Sequence, residues 1–321
     1  RLEDTDKERS KDIFTNQILD SLKWLGLDWD EPLVYQSGRM DRYKYYLNKL
    51  LDENKAYRCF CSKSDVENYK KDSYALYPGT CRNLTSEEVK SKLNQGISFT
   101  IRIKLEEGIT AFDDLVYGTI NTNNKELDDF IIARSDGSPT YNFTVVVDDF
   151  EMEISHVIRG DDHLSNTPKQ LILYKSLDLS PPIFAHLPMI LGPDKKRLSK
   201  RHGAPGVQNF ADKGYFPDSI LNYLALLGWS PKNDKEVLVV DDLVSGFSFE
   251  QVQKKGAAWD EKKLYWLSGQ HVKSKTSQFL LEHIRLLEPE WGKNSAISLL
   301  INIIDALKPR AKSLREFISK S

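Results

Sequence analysis

The stretch at residues 154–168, ISHVIRGDDHLSNTP, changes from a strand pattern to a helix pattern. We predict a strand over 154–160. A helix then begins with Thr167 as its N-cap and Pro168 in its first turn, which is the favoured order of those residues. A strand that leads into a helix is typical of an α/β fold.

The residues just before this stretch carry the same α/β pattern. Residues 130–134, FIIAR, are followed by a turn at Asp136-Gly137. The apolar stretch 141–147 fits either a helix or a strand, because its period alone does not decide between them. The fold class that we predict is therefore α/β, with one element left open.

Further upstream the pattern is interrupted. Apolar residues at helical spacing predict helices over 10–25 and 40–55. Residues 58–130 then contain the cysteines, a Lys-rich stretch and a Pro-Gly turn at 78–79. They also contain an alternating strand over 99–103. This change in the sequence pattern indicates an inserted module.

A basic loop follows the α/β region. Residues 195–201 read KKRLSKR, and the turn at residues 192–194 presents the loop's cations around Ser199: Arg197, Lys200 and Arg201. Several cations on one loop suit a triphosphate whose charge must be neutralised as pyrophosphate leaves. A solvated basic loop or a nuclear-import patch is the alternative. Residues 205–321 look mostly helical, with amphipathic patterns at 220–227 and 297–304.

The composition is that of a soluble globular enzyme with two or three domains. The 321 residues are 40% hydrophobic and 29% charged. No run of about 18 apolar residues, as a membrane span would need, is present, so we expect a cytoplasmic protein. The net charge of −2 gives no global sign of nucleic-acid binding. Any polyanion must therefore be met by local basic patches.

The three cysteines cannot all pair within one chain. Cys59 and Cys61 are separated by a single residue, and Cys81 follows across the Pro-Gly turn. A disulfide scaffold is therefore unexpected, and a metal site or plain burial is favoured.

Six segments, in order along the chain, resemble signatures of the bacterial-type glutamyl-tRNA synthetases, which are class I aminoacyl-tRNA synthetases. RLSKRHG at 197–203 resembles the KMSKS motif in the form used by glutamyl enzymes. The other five segments are RLEDTD at 1–6, DGSPTYNF at 136–143, VVVDD at 145–149, VIRGDDHLSNTP at 157–168 and LNYLALLGW at 221–229. The likeness spans essentially the whole chain.

The resemblance implies a Rossmann-like parallel sheet that is split by a connective insertion and followed by a helical domain. It divides the chain into a first catalytic part at 1–57, a zinc-bearing insertion at 58–130, a second catalytic part at 131–200 and a helical stem-contact domain at 201–321. The HIGH motif of the class would lie before Arg1. We therefore expect this stretch taken alone to be inactive, and we expect the anticodon-binding region to follow it.

The resemblance also implies a glutamate pocket. Glu3 matches the carboxylate that takes the substrate's α-amino group, although a surface capping acid is the alternative for it. Tyr141 and Arg159 match residues that hold the glutamate carboxylates, and a planar guanidinium suits a carboxylate. Without the resemblance, we would predict that Tyr141 is a core residue and that Arg159 is an ion-pair partner. Asp162 and His163 match positions that line the pocket for ATP and the amino acid.

The basic loop supplies the implied catalytic and ATP-binding residues. Lys200 is the residue expected to contact phosphate in the transition state, together with Arg197 and Ser199. The full set implied for ATP, which binds with Mg²⁺, is Asp162, His163, Ile190, Arg197, Leu198, Ser199, Lys200 and Arg201. Arg197 stands where the family has its first lysine, which keeps the charge and alters the donor geometry.

The cysteines resemble the structural zinc site in the family's connective insertion. Zinc favours four tetrahedral ligands, and three sulfurs leave one place open. Some relatives fill it with a histidine two residues after the last cysteine, which is Asn83 here. Others use a tyrosine four residues before it. We therefore predict Cys59, Cys61, Tyr77 and Cys81 as ligands, with three thiols and no metal as the alternative.

The partners implied are tRNA(Glu), L-glutamate and ATP, and we expect a monomer. Two rivals are ranked lower within the family: glutamyl-queuosine tRNA synthetase, which lacks a long helical continuation, and a glutaminyl enzyme. A rival from another class is a non-catalytic zinc-bearing tRNA-binding module, which would have no use for an amino-acid pocket.

Overall fold

The computed structural model describes residues 1–5, 10–69, 76–199 and 206–321. Contacts divide the chain into two units. The first unit comprises Arg1–Thr5 and Leu33–His186, and the second comprises Asp6–Pro32 and Leu187–Ser321. The four-part division at residues 57, 130 and 200 stays a prediction.

The described residues form helices and strands in alternation through most of the first unit, and mainly helices in the second. In chain order, helices α1 to α13 span Asp12–Trp24, Met40–Asp52, Lys63–Tyr69, Ser86–Asn94, Tyr141–Glu151, Thr167–Ser176, Val207–Asp212, Pro217–Leu226, Val240–Gly246, Glu261–Ser274, Ser277–Leu287, Ile297–Leu307 and Leu314–Lys320. Strands β1 to β9 span Ala56–Cys59, Thr100–Ile103, Ile109–Asp114, Gly118–Asn123, Ile131–Ala133, His156–Gly160, Ile183–Leu187, Ile190–Leu191 and Ala257–Ala258.

The first unit contains two sheets. One has the order β1-β2-β5 and is antiparallel. The other has the order β4-β3-β7-β6, and within it β3 pairs with β7 in parallel, with Asp114 opposite Phe184. The α/β class is confirmed. The hairpin β3-β4, which lies inside the predicted insertion, shares a sheet with strands of the predicted catalytic part.

The apolar stretch 141–147, whose period did not decide its structure, forms the first two turns of α5. Val145, Val146 and Val147 are all buried there. The helix packs on α2 and α6, and Val146 and Val147 join a core that includes Tyr43 of α2. Burial on several sides explains why no helical period was visible in the sequence.

The prediction of Thr167 as an N-cap is wrong by one residue. Asn166 is the N-cap, Thr167 is the first residue of α6, and Pro168 lies in the first turn as predicted. The Thr167 hydroxyl is used elsewhere. It accepts a hydrogen bond from Arg159 and lies 3.2 Å from a ring nitrogen of His186. Its side chain therefore bonds to Arg159 and does not cap the helix.

The second unit contains the predicted helices over 10–25, 220–227 and 297–304, as α1, α8 and α12. Strand β8 pairs in parallel with β9 and leads into the basic loop. Within the described ranges, none of the helices is both long and apolar enough to span a membrane.

Candidate functional site

Arg159, at the end of β6, presents a guanidinium whose hydrogen-bond partners are uncharged side chains. Its Nε lies 3.2 Å from Nε2 of His186, and its Nη2 donates to Thr167 Oγ1 at 2.8 Å and to Gln170 Oε1 at 2.9 Å. These three bonds fix the plane of the guanidinium without neutralising its charge. The group is therefore suited to an incoming anion.

Behind Arg159 lies a buried carboxylate and imidazole pair. Asp114 and His186 are 4% and 0% exposed, and Asp114 Oδ2 lies 2.6 Å from His186 Nδ1. Asp114 Oδ1 also accepts hydrogen bonds from the backbone N–H groups of Val116 and Tyr117. Burial by itself raises the pKa of Asp114, but the bonds from His186 and from these N–H groups hold that pKa below its usual range. Burial also lowers the pKa of His186.

Tyr141, the first residue of α5, lies beside both Arg159 and His163. Its hydroxyl is 3.3 Å from His163 Nδ1. Burial raises the pKa of Tyr141, Glu3 raises it further, and Arg159 opposes both through charge and a hydrogen bond. These mutual effects place Glu3, Tyr141 and Arg159 in one neighbourhood of the first unit. The resemblance predicted this convergence.

Glu3 has a cationic neighbour that the sequence did not single out. Arg1 lies 3.4 Å from Glu3, and its Nη1 donates to Asp149 Oδ1 at 2.6 Å. Leu2, which lies between Arg1 and Glu3 in the sequence, is held by backbone hydrogen bonds to Val34 and Gln36. The first residues of the chain are thus fixed beside Asp149. VVVDD was noted as a motif without a role, and its second aspartate supplies this anchor.

The first aspartate of that motif, Asp148, organises a buried network. It accepts hydrogen bonds from Gln36 Nε2 at 2.8 Å, Tyr43 hydroxyl at 2.8 Å and Arg39 Nε at 2.7 Å. Its side chain is fully buried. A carboxylate removed from water requires such compensation. Asp148 therefore joins α5 to α2 and to the segment that precedes α2.

The residues that sequence reasoning missed share one property: each acts through a partner distant in sequence. Asp114 and His186 are separated by 72 positions. A lone histidine in the apolar strand IFAHL was the one available signal, because a fully buried imidazole requires hydrogen-bond partners.

The basic loop begins as a tight hairpin in the second unit. Gly192 N–H donates to Lys196, Leu198 N–H donates to Ile190, and Leu191 bridges to Arg197. The predicted turn is present, and Lys195 takes a left-handed conformation with φ of 59°. Arg197 is exposed, whereas Ser199 is partly buried. The predicted residues Lys200 and Arg201 lie outside the described residues.

The three cysteines and Tyr77 form a compact cluster in the first unit. The sulfur atoms of Cys59, Cys61 and Cys81 all lie within 4.8 Å of one another. The Tyr77 hydroxyl is 3.2 Å from the sulfur of Cys59 and 3.6 Å from that of Cys61. It also accepts the backbone N–H of Cys81 at 3.2 Å. The four predicted ligands thus converge on one point.

These distances fit a tetrahedral metal. Zn–S bonds of about 2.3 Å imply sulfur–sulfur edges of about 3.8 Å, and Cys61 and Cys81 are 3.7 Å apart. Burial raises the pKa of Cys61 to about 12 and raises that of Tyr77, whereas at Cys59 hydrogen bonds and Arg102 outweigh burial and lower the pKa. A zinc ion must therefore displace protons, so zinc should bind more weakly in acid.

Tyr77→Phe is expected to weaken zinc binding by at least about tenfold, which is the lower end of the cost of changing even an outer-shell partner of a metal. The reason is that the ring stays in place while the fourth donor atom is lost. Competition with a chromogenic chelator measures the change.

Tyr57→Phe is the matched control, because Tyr57 packs in the same cluster and its hydroxyl bonds to Asp129 rather than to the cysteines. Equal zinc affinity in the Tyr77 and Tyr57 variants would contradict the assignment of the phenol oxygen as a ligand.

Comparisons with known proteins give consistent matches. Residues 1–266 match the family described as tRNA synthetases class I (E and Q), catalytic domain. The chain is 43% identical to glutamate–tRNA ligase 1 of Caldanaerobacter subterraneus over 98% of its length, and 47% identical to glutamate–tRNA ligase 2 of Caldicellulosiruptor saccharolyticus over 91%. A crystal structure of a glutamate tRNA ligase from Elizabethkingia meningosepticum, in complex with its amino acid, superposes with a TM-score of 0.90 at 28% identity.

The lengths of these proteins differ from that of this chain. The chain spans 67% and 64% of the two curated relatives, and all of it superposes on 72% of the Elizabethkingia structure. The similarity therefore covers about two thirds of each relative.

Proposed function

Because this chain belongs to the catalytic-domain family of the class I tRNA synthetases for glutamate and glutamine, we propose that it acts as a glutamate–tRNA ligase. It activates L-glutamate with ATP and transfers the glutamyl group to the 3′ end of tRNA(Glu). The observation that carries the proposal is the half-buried Arg159 guanidinium, which is oriented by three uncharged side chains. Such a group offers an unneutralised charge to a carboxylate.

Different residues of the pocket bind the two ends of the amino acid. Arg159 and Tyr141 hold carboxylate groups of glutamate, by charge and by a phenolic hydrogen bond respectively. Glu3 takes the α-amino group, since its side chain is 43% exposed and remains accessible beside Arg1. The ammonium group of glutamate thereby binds the Glu3 carboxylate, and a carboxylate group of glutamate binds the Arg159 guanidinium.

Activation joins a glutamate carboxylate oxygen to the α-phosphorus of ATP as the bond from that phosphorus to the bridging oxygen breaks, which releases pyrophosphate. Mg²⁺ bound with ATP would neutralise part of the phosphate charge. We assign the phosphate contacts to the basic loop, through Arg197, Ser199, Lys200 and Arg201, with Ile190 and Leu198 beside them. Asp162 and His163 line the nucleotide and amino-acid pocket. Charge placed where the leaving group develops lowers the barrier more than it strengthens ground-state binding.

The zinc cluster has a structural role in this proposal. Cys59, Cys61, Cys81 and Tyr77 would hold the ion with three thiolates and one phenolate, which would leave no position for a water molecule, so zinc would stabilise the inserted module and take no part in the reaction. Monomeric state and cytoplasmic location, as expected from the sequence, complete the proposal.

Glutamate-dependent exchange of labelled pyrophosphate into ATP tests the proposal in the full-length protein, with tRNA(Glu) present. Exchange is expected with L-glutamate, and little or none with L-glutamine. A non-catalytic zinc-bearing module would bind tRNA and show no exchange with either amino acid. The queuosine rival is separated by the acceptor, because it would glutamylate a modified base rather than the 3′ end.

Lys200→Ala is expected to slow adenylate formation by about a hundredfold or more, while changing the glutamate Kd little, because the charge it meets develops as pyrophosphate leaves. Single-turnover quenched flow measures the rate, and equilibrium dialysis measures the affinity. Lys213→Ala is the control, since it removes an equal charge at the C-terminal end of α7. A fall in affinity with an unchanged rate would overturn the assignment.

A further inference from the structure

The hydrogen bonds of Asp114 determine which ring nitrogen of His186, behind Arg159, carries hydrogen. Asp114 accepts through both oxygens: Oδ1 faces three backbone N–H groups, at Val116, Tyr117 and His186, and Oδ2 faces His186 Nδ1. A carboxylate in this position can only accept, so His186 carries its proton on Nδ1.

The opposite ring nitrogen of His186 is consequently an acceptor. Arg159 Nε, which always bears hydrogen, points at His186 Nε2 from 3.2 Å. The Thr167 hydroxyl lies 3.2 Å from the same nitrogen and can donate to it while accepting from Arg159 Nη2. Every hydrogen-bond donor in this series of side chains has an acceptor only when His186 is neutral and carries its hydrogen on Nδ1.

We propose that Asp114 and His186 are positioning residues for glutamate: the buried carboxylate fixes the imidazole tautomer, and the imidazole holds the Arg159 guanidinium in its glutamate-binding orientation. The inference rests on the proposed function and extends it to residues that do not touch the substrate. Three of the five N–H groups of Arg159 bond to His186, Thr167 and Gln170. The Nη1 end is therefore left for the neighbouring Tyr141 hydroxyl and for the substrate carboxylate.

Two elements from different parts of the sequence are needed for this arrangement. Asp114 ends β3 of the hairpin, His186 lies on β7, and the two strands are joined by parallel pairing. The hairpin thereby reaches the amino-acid pocket through hydrogen bonds rather than through direct contact with substrate. Both side chains are nearly or fully buried, so solvent cannot replace the missing partner if one is changed.

Asp114→Asn is the informative substitution, because it changes a proton position and almost no volume. The amide oxygen can keep the three backbone N–H bonds, which turns the amide NH₂ toward His186. The imidazole must then accept at Nδ1 and carry its hydrogen on Nε2, where it meets the Arg159 N–H. Two donors face each other, and Arg159 is displaced. A wrong tautomer from the same substitution disables other oriented histidines in this way.

The expected result is a rise in the glutamate Kd and KM of about tenfold to a hundredfold, by analogy with the loss caused by removing the partner of a metal-binding histidine, with an unchanged KM for ATP. Asp113→Asn is the matched control. It makes the same chemical change one residue earlier, on an exposed side chain that accepts from Thr119. The control should bind glutamate as the wild type does.

Two measurements separate positioning from loss of fold. Nitrogen-15 NMR of histidine-labelled protein should show His186 with its hydrogen on Nδ1 in the wild type and on Nε2 in Asp114→Asn. Its signal is assigned by replacing the other five of the six histidines in turn. In an Arg159→Lys background, Asp114→Asn should weaken glutamate binding much less, because the group through which it acts is gone.

The outcomes distinguish this inference from the proposed function. A full-length wild-type protein that neither binds nor activates glutamate in the presence of tRNA(Glu) would refute the function. A wild type that activates glutamate while Asp114→Asn binds it equally well would refute the positioning role. A wild-type spectrum with the His186 hydrogen on Nε2, or with both nitrogens protonated, would refute it even if the variant failed to fold.

Discussion

Arg159→Ala is expected to reduce kcat/KM for glutamate by about thirtyfold to five-thousandfold. Removing one partner of a desolvated charge pair costs roughly 2–5 kcal/mol, because the substrate carboxylate enters the pocket without its cation. Pyrophosphate exchange at several glutamate concentrations measures the loss.

Arg159→Lys serves as the companion variant. It keeps the charge, but its three N–H donors cannot serve His186, Thr167 and Gln170 and also bind the substrate carboxylate, so an intermediate loss is expected. Wild-type kinetics in the alanine variant would remove Arg159 from the glutamate pocket and would leave the proposed function without its central observation.

Asp148→Ala is expected to lower the free energy of unfolding by about 3–5 kcal/mol, which is the cost of breaking a buried ion pair by removing one partner. Arg39, Gln36 and Tyr43 would each lose an acceptor inside the first unit. Urea denaturation followed by intrinsic fluorescence measures the change.

The control for this second prediction is Asp41→Ala, on the exposed face of α2. Asp41 pairs only weakly with Lys44 at 3.7 Å, and its side chain is almost completely exposed. A change within about 0.5 kcal/mol is expected for such a surface position. If both variants unfolded at the same urea concentration, the Asp148 network would not be a major source of stability.

The sequence predicted well the elements whose exposed and buried faces differ. Helix α2 has a clear apolar stripe that includes Tyr43 and Leu50. It begins at residue 40 as predicted and ends at Asp52, three residues before the predicted end. Helix α5 has no such contrast, because residues 143–149 are all buried. The choice between helix and strand was therefore made by tertiary packing, which a local period cannot report.

The residues of the site also differ in whether the sequence could predict them. Glu3, Tyr141 and Arg159 could be named because each stands in a short motif that resembles one of the family, and Cys59, Cys61 and Cys81 because they resemble the family's zinc site. Asp114 and His186 could not be paired from sequence, because their contact depends on the register between β3 and β7. Thr167 was noticed for its position, and only the structure revealed that its hydroxyl turns away from the helix end.

The parallel pairing of β3 with β7 also bears on the order in which the chain acquires its pocket. A nascent chain that has emerged as far as Arg159 lacks β7 and His186 altogether. Joining Asp114 to His186 closes a loop of 72 residues, and such non-local closure carries an entropic cost that is repaid only when the whole sheet forms. Glutamate recognition should therefore appear abruptly during synthesis, after residue 186 has left the ribosome, rather than growing gradually with chain length.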